Sequence, residues 1–111
     1  MADSPVKVLG IVCSPRKGGN TEILVREALA GAEEVQAHTE LLTLGDKDIK
    51  PCDGCRACAK TGKCHISDDM RPLYAKLFEA DALIFGSPIY VWSITGQGKV
   101  FLDRIGFLSH K

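Results

Sequence analysis

The chain has 111 residues, and 14 basic side chains balance 14 acidic ones, so the formal net charge is zero. Without a basic surplus, the sequence is not expected to bind nucleic acid or an anionic membrane. Apolar residues make up 45% and charged residues 25%, which is typical of one globular domain, here residues 1–111. No apolar run has the length of a membrane span, and the first residues lack the pattern of an export signal, so we expect a cytoplasmic protein.

Predicted strands and helices alternate along the chain. The β-branched run at residues 6–12 predicts a strand buried on both faces. Residues 20–33 predict a helix with a face of helical period that consists of Ile23, Leu24, Glu27, Ala28 and Gly31. The remaining elements are predicted as a strand over residues 35–44, a helix from Asp68 or Asp69 to about Glu79, a strand over residues 82–86 and a helix over about residues 95–108.

This alternation predicts an α/β fold, a doubly wound parallel sheet with helices on both faces. In such sheets ligands bind beyond the carboxyl ends of the strands, where the strand order reverses. Three loops of unusual composition leave strands at that end, namely residues 13–20, about 45–67 and 87–93. We therefore expect the functional site where these loops meet.

The first of these loops has the composition of an anion site. Ser14 and Thr21 supply hydroxyl groups, Arg16 supplies a guanidinium, and Gly18-Gly19 precedes a helix N-terminus whose N–H groups favour an anion. The triphosphate pattern Gly-Lys-Ser/Thr and the dinucleotide pattern Gly-x-Gly-x-x-Gly are both absent, so a terminal monophosphate fits best. A polar turn without a ligand is the alternative.

The loop after the third strand is apolar and aromatic. Pro88, Ile89, Tyr90 and Trp92 offer a surface against which a flat ring could pack. The alternative is that Trp92 covers the last helix or a partner subunit. Because this loop is expected to lie beside the candidate monophosphate loop, a flavin accounts for the composition of both: its phosphate would bind the first loop and its ring the third.

Four of the five cysteines, Cys52, Cys55, Cys58 and Cys64, lie close together in the loop at about residues 45–67. In a reducing compartment this density indicates metal ligation or redox chemistry. The spacing Cys-x2-Cys-x2-Cys suits three corners of a cubane iron–sulfur cluster, and a reversal at Gly62 lets Cys64 supply the fourth.

Zinc is the first alternative for this segment, with His65 as a further candidate ligand, but zinc sites usually separate two Cys-x2-Cys pairs by a dozen residues or more. A loop without metal is the second alternative. The fifth cysteine, Cys13, is expected to be a small apolar strand end and not a thiol activated by Arg16.

Four motifs follow one another over nearly the whole chain. They are residues 13–21, Asp68-Asp69-Met70, residues 86–90, and residues 96–104 with the pattern Gly-x-x-Lys-x-Phe-Leu-Asp-Arg. Together they resemble the flavodoxin-like NADPH-dependent FMN reductases, and with the cysteine run they resemble most closely the iron–sulfur flavoprotein branch of that family. The resemblance implies a flavodoxin-like sheet of which this chain holds the first three strands and their helices.

The resemblance also implies cofactors and the residues that bind them. The FMN phosphate would lie at Ser14, Arg16, Gly19, Asn20 and Thr21, the flavin ring at Pro88, Ile89, Tyr90 and Trp92, and a 4Fe–4S cluster at Cys52, Cys55, Cys58 and Cys64. The family resemblance further implies a homo-oligomer with the cluster near the flavin and near a subunit interface. No side chain is assigned acid–base catalysis.

The expected function is an oxidoreductase that couples a one-electron donor such as a ferredoxin to a two-electron acceptor such as a quinone or an oxygen species. The first alternative is an NAD(P)H-dependent FMN or quinone reductase without a cluster. The second is a non-enzymatic binding module, because the family usually continues through two further strands whereas this sequence ends at Lys111. The third strand would then be an edge that another segment or subunit covers.

Overall fold

The computed structural model describes residues 5–106, which form a three-stranded parallel sheet with helices on both faces. The elements in chain order are β1 (Lys7–Val12), α1 (Asn20–Glu34), β2 (His38–Thr43), α2 (Ala57–Thr61), α3 (Met70–Glu79), β3 (Ala82–Gly86) and α4 (Gly96–Ile105). The strand order is β2-β1-β3, and Gly10 of β1 pairs with Leu41 of β2 and with Ile84 of β3. The predicted α/β fold with a doubly wound parallel sheet is confirmed.

The central strand β1 is buried on both faces because helices cover both sides of the sheet. Val8 and Val12 pack against Val25 and Leu29 of α1. On the opposite face a larger apolar cluster joins the sheet to α3 and α4, and it consists of Leu9, Ile11, Cys13, Leu42, Leu44, Met70, Leu73, Leu77 and Phe101. A central parallel strand needs this continuous apolar run, and the run made β1 predictable.

The helix α1 turns a different face to the sheet from the predicted one. Ile23 and Leu24 are 54% and 69% exposed, whereas Val25 and Leu29 are buried. The helix lies so close to the sheet that a Cβ atom at Gly10 would meet both Val25 and Leu29 at 2.8 Å. The predicted face with Ile23, Leu24 and Ala28 is therefore wrong. The absence of a side chain at Gly10 leaves the space that Val25 and Leu29 fill, so these two residues face the sheet.

Several predicted boundaries shift by a few residues. The strand β2 begins at His38 and not at residue 35, because Gln36 adopts a left-handed φ of 73° after α1 ends. The short helix α2, inside the cysteine segment, was not predicted. The helix α4 begins after its N-cap Thr95, and its predicted end near Leu108 lies outside the described residues.

The strands β2 and β3 form the two edges of the sheet within residues 5–106. On β3, Leu83 is 47% exposed, so this edge carries apolar surface. No helix of that part of the chain is long and apolar enough to cross a membrane.

Candidate functional site

The three loops of unusual composition meet at the carboxyl edge of the sheet, as predicted. Gly45, which opens the cysteine segment, lies so close to the first loop that a Cβ atom there would be 3.1 Å from Pro15 Cα and from Ser14 O. Thr95, which follows the third loop, donates a hydrogen bond of 2.6 Å from Oγ1 to the carbonyl oxygen of Cys13. The first loop therefore contacts both of the others.

The first and third loops leave neighbouring strands at the point where the strand order reverses. The chain places β2 on one side of β1 and then β3 on the other, so the reversal lies between β1 and β3. There the backbone N–H of Cys13 donates to the carbonyl oxygen of Gly86 at 2.8 Å. A Cβ atom at Gly86 would also lie 3.3 Å from Thr21 Cγ2, so the first turn of α1 stands directly over this point.

The first loop leads into the N-terminus of α1, and Gly19 at the N-cap position supplies no capping side chain. The N–H groups of the first helical turn are thus left for another acceptor. Ser14 is buried and its Oγ accepts a hydrogen bond from the N–H of Arg16 at 3.1 Å. The aliphatic part of the Arg16 side chain lies across Gly19, where a Cβ atom would meet Arg16 Cδ at 3.1 Å. A positive side chain therefore lies beside an uncapped helix N-terminus.

One acidic side chain already uses this loop. Glu22 Oε1 accepts a hydrogen bond of 3.1 Å from the N–H of Gly18, and Glu22 Oε2 accepts one of 2.9 Å from Nε of Arg26. The Gly18 hydrogen bond, followed by that of Arg26, lowers the pKa of Glu22. The loop thus holds an ionised carboxylate, and Glu22 would compete with any other anion for the Gly18 N–H. Sequence reasoning did not identify Glu22.

The third loop contains a tight turn in a strained conformation. Tyr90 and Ser93 exchange two backbone hydrogen bonds of 2.8 and 3.1 Å, and between them Val91 and Trp92 have φ values of 46° and 71°. Two consecutive positive φ angles normally require glycine or asparagine, and a β-branched valine there is an outlier. Such strain is held only where the surroundings fix it, and it often marks functional loops.

The strained turn presents apolar side chains to solvent. Ile89, Tyr90 and Trp92 are 79%, 47% and 96% exposed, so Trp92 does not cover the last helix. The base of the loop is fixed by Ser87, whose Oγ donates to the carbonyl oxygen of Pro88 at 2.8 Å and accepts from the N–H of Thr95 at 3.1 Å. The structure therefore anchors the loop at its base and leaves its aromatic tip open.

The cysteine segment carries four free thiols. Cys52 and Cys55 are exposed, whereas Cys58 and Cys64 are half-buried. The sulfur of Cys52 accepts a hydrogen bond from the N–H of Gly54, and that of Cys55 accepts one from the N–H of Ala57, each at 3.5 Å. N–H donors to cysteine sulfurs are a means by which proteins tune iron–sulfur sites. The chain reverses at Gly62 with φ of 73°, as predicted.

One group of possible metal ligands lies close together in this segment, and it combines a carboxylate, a thiol and an imidazole. Within residues 5–106, the ligand atoms of Asp53, Cys55 and His65 lie within 4.8 Å of one another, and His65 Nε2 is 2.7 Å from Asp53 Oδ2. This group contains one of the four cysteines. Cubane ligands bind separate iron atoms and so stand farther apart than the ligands of one ion. Four thiols with N–H donors to two of the sulfurs are chemically suited to an iron–sulfur cluster. Only Cys55 belongs to the group of ligand atoms that lie close together, so the cluster stays a prediction.

The remaining cysteine, Cys13, is structural. Its side chain is fully buried, and burial raises the pKa of the thiol to about 12. This confirms the expectation of a small apolar strand end.

Sequence reasoning missed a buried ion pair beneath the cysteine segment. The side chains of Arg104 and Asp68 are 1% and 0% exposed. Nη1 and Nη2 of Arg104 donate to the two carboxylate oxygens of Asp68 at 2.6 and 3.1 Å, and Nη1 also donates to the carbonyl oxygen of Lys50 at 2.8 Å. One signal could have revealed it: Arg104 follows Phe101 by three residues, which places a charge on the apolar face of α4.

Comparisons with known proteins agree with this geometry. The model of the family described as NADPH-dependent FMN reductase matches residues 6–111. An iron–sulfur flavoprotein of Methanocaldococcus jannaschii is 46% identical over 99 residues, which are 89% of this chain and 51% of that protein. An iron–sulfur flavoprotein of Methanosarcina thermophila is 36% identical over 106 residues, which are 96% of this chain and 56% of that protein.

A solved structure of a flavone reductase superposes on 91% of this chain and 30% of its own, with a TM-score of 0.72 and 29% identity. The chain spans about half the length of the curated relatives described above.

Proposed function

The chain belongs to the NADPH-dependent FMN reductase family, in its iron–sulfur flavoprotein branch, and from that premise we propose that it is an FMN-binding, flavodoxin-like oxidoreductase. The observation that carries the proposal is the meeting of the first and third loops between β1 and β3, where the strand order reverses. Flavodoxin-like sheets bind FMN at this switch point. We treat residues 1–111 as a single FMN-binding domain with a cysteine-rich insert at about residues 45–67.

The phosphate of FMN is assigned to the first loop, at Ser14, Arg16, Gly19, Asn20 and Thr21. The uncapped N-terminus of α1 supports this assignment, since its N–H groups suit an anion, and the position of Arg16 across Gly19 supports it further. These residues would bind and orient the cofactor. FMN, when bound, supplies the one- and two-electron redox chemistry.

The flavin ring is assigned to Pro88, Ile89, Tyr90 and Trp92. The exposure of the last three side chains supports this, because a flat aromatic ring packed on them would remove apolar surface from water. The strained turn at Val91 and Trp92 supports it as well, since it holds the indole outward in the absence of any covering group within the described residues.

We further assign a 4Fe–4S cluster to Cys52, Cys55, Cys58 and Cys64. The support is the set of four free thiols on one segment and the N–H donors to two of the sulfurs. The alternative is an FMN or quinone reductase without a cluster, which the mixed group of Asp53, Cys55 and His65 keeps open. A cofactor-free binding module is the outcome if neither cofactor is present.

For partners, the proposal names a ferredoxin or NAD(P)H as electron donor and a quinone or oxygen species as acceptor. It also includes a homo-oligomer and a cytoplasmic location, where exposed thiols stay reduced. The apolar exposed edge at Leu83 supports association with another strand or subunit. Size-exclusion chromatography with light scattering measures the assembly directly.

The deciding experiment is the content of iron, acid-labile sulfide and FMN in protein purified without oxygen. The proposal predicts FMN together with about four iron and four sulfide per chain. Two variants separate the sites: Cys58→Ser is expected to lose iron and keep FMN, and Arg16→Met to lose FMN and keep iron. FMN without iron would support the reductase alternative, and the absence of both would support the binding module.

A further inference from the structure

We infer that Arg104, through its buried ion pair with Asp68, is a positioning residue that closes the base of the cysteine segment. The inference rests on the proposed function only for the identity of the group that the cysteines hold. The closure itself is a property of the protein chain.

The ion pair binds both backbone polar groups of one residue at the start of the segment. The N–H of Lys50 donates to Asp68 Oδ2 at 2.8 Å, and the carbonyl oxygen of Lys50 accepts from Arg104 Nη1 at 2.8 Å. Lys50 precedes Cys52 by two residues, and Asp68 follows Cys64 by four. One side-chain pair therefore joins the entry and the exit of the segment that carries all four thiols.

A second pair of contacts continues this closure. The N–H of Asp48 donates to Asp69 Oδ2 at 2.6 Å, and the N–H of Asp69 donates to the carbonyl oxygen of Asp48 at 3.1 Å. These contacts are exposed, whereas the Arg104–Asp68 pair is not. Water competes weakly for the buried pair, so we assign the larger part of the closure to Arg104 and Asp68.

The charge of Arg104 is secured by its partner. Burial alone would lower the pKa of Arg104, but the hydrogen bonds to Asp68 raise it, so the guanidinium stays charged. The hydroxyl of Tyr74 donates to the carbonyl oxygen of Arg104 at 2.9 Å and fixes the backbone of α4 at this point.

One donor atom of the guanidinium has no acceptor. Nε of Arg104 is buried and has no hydrogen-bond partner among the described residues. The guanidinium is therefore held in place by its three hydrogen bonds to Asp68 and Lys50.

The first test measures thiol reactivity in the metal-free protein, using N-ethylmaleimide and mass spectrometry of each cysteine. Arg104→Lys keeps the charge and loses the two-pronged contact. We expect it to raise the modification rates of the half-buried Cys58 and Cys64 by about tenfold. An effect of this size corresponds to the loss of roughly one charge-assisted hydrogen bond. The matched control is Arg26→Lys, in an exposed ion pair with Glu22, and it should leave all rates unchanged.

A double variant separates positioning from folding. Arg104→Met with Asp68→Leu replaces the ion pair by apolar side chains, which often restores stability, but it still leaves Lys50 without its partners. We expect native circular dichroism with fast modification of Cys58 and Cys64. Slow modification in this variant, or in Arg104→Lys, would overturn the inference.

The two proposals fail separately. If wild-type protein holds no iron, the proposed function fails, while the thiol measurement still tests the closure.

Discussion

Thr95 Oγ1 donates a hydrogen bond of 2.6 Å to the carbonyl oxygen of Cys13, a residue 82 positions earlier in the chain. The same oxygen accepts from the N–H of Gly98 at 3.0 Å and so caps α4. Because Thr95 is fully buried, water cannot replace either bond. One hydroxyl therefore ties the start of the last helix and the third loop to the end of the central strand.

Thr95→Val should destabilise the domain more than its small change in shape suggests. It leaves a buried carbonyl and a helix N–H unpaired, at a cost of about 2–4 kcal/mol in the free energy of unfolding. Thr95→Ser keeps the hydroxyl and is expected to cost less than about 1 kcal/mol. Urea unfolding followed by far-ultraviolet circular dichroism measures both. Equal losses in the two variants would contradict a role for the hydroxyl.

Acid should weaken the fold through Asp68. Burial alone would raise the pKa of Asp68, but hydrogen bonds from Arg104 and from the N–H groups of Lys50 and Met70 lower it from 3.8 to about 2. Because the folded-state pKa is below the unfolded one, this carboxylate stabilises the fold above about pH 4. The contribution, about 2 kcal/mol, is lost as the pH falls to about 2.

Asp68→Asn isolates that contribution from those of other carboxylates. The variant is expected to lose about 3–5 kcal/mol at neutral pH, because it leaves the Arg104 charge buried without its counter-charge. Its urea midpoint should then fall less steeply than that of the wild type between about pH 5 and pH 2.5. Parallel pH profiles would show that Asp68 has an ordinary pKa in the folded protein.

The close approach of α1 to the sheet can be tested at Gly86. A Cβ atom there would lie 2.4 Å from Val25 Cγ2, so Gly86→Ala should cost about 1–3 kcal/mol by overpacking. Adding Val25→Ala removes the clashing methyl group, and the two changes should cost less together than their sum. Gly31→Ala is the control: it meets no atom within 4 Å and should stabilise α1 by about 0.5–1 kcal/mol. Additive effects of the first two changes would argue against the contact.

Glu22 should weaken the binding of a phosphate to the first loop. Its carboxylate occupies the N–H of Gly18 and adds a negative charge beside the uncapped helix N-terminus. Glu22→Gln is therefore expected to tighten FMN binding by about three- to tenfold at low salt, with a smaller gain at high salt. Titration of FMN fluorescence measures this, and Glu27→Gln, on an exposed position of α1, is the control. Weaker binding by the Glu22→Gln variant would mean that the carboxylate organises the loop.

The sequence was sufficient to predict the sheet and the place of the site. The apolar run of β1 is unambiguous because both faces of a central parallel strand are buried. The order of strands and helices then fixes which loops share an edge, so the meeting of the 13–20, 45–67 and 87–93 loops followed from the topology. The reversal at Gly62 followed from the freedom of glycine to adopt a positive φ.

Other features depend on partners far away in the chain. The prediction of the buried face of α1 was wrong because it depends on two glycines in other parts of the chain. Gly10 and Gly86, on two different strands, leave the space that Val25 fills. The Arg104–Asp68 pair joins residues 36 positions apart, and no local pattern connects them. The turn at Val91 and Trp92 carries no turn-forming residue, since neither is glycine, asparagine or aspartate.

The exposed turn also determines how this protein can be observed. Trp92 is the single tryptophan of the chain, and 96% of it is open to solvent in the folded state. Its emission should therefore change little on unfolding, because the indole is hydrated in both states. A ring that stacks on it would quench that emission strongly, so the side chain that reports poorly on folding is a built-in optical probe of occupancy at the third loop.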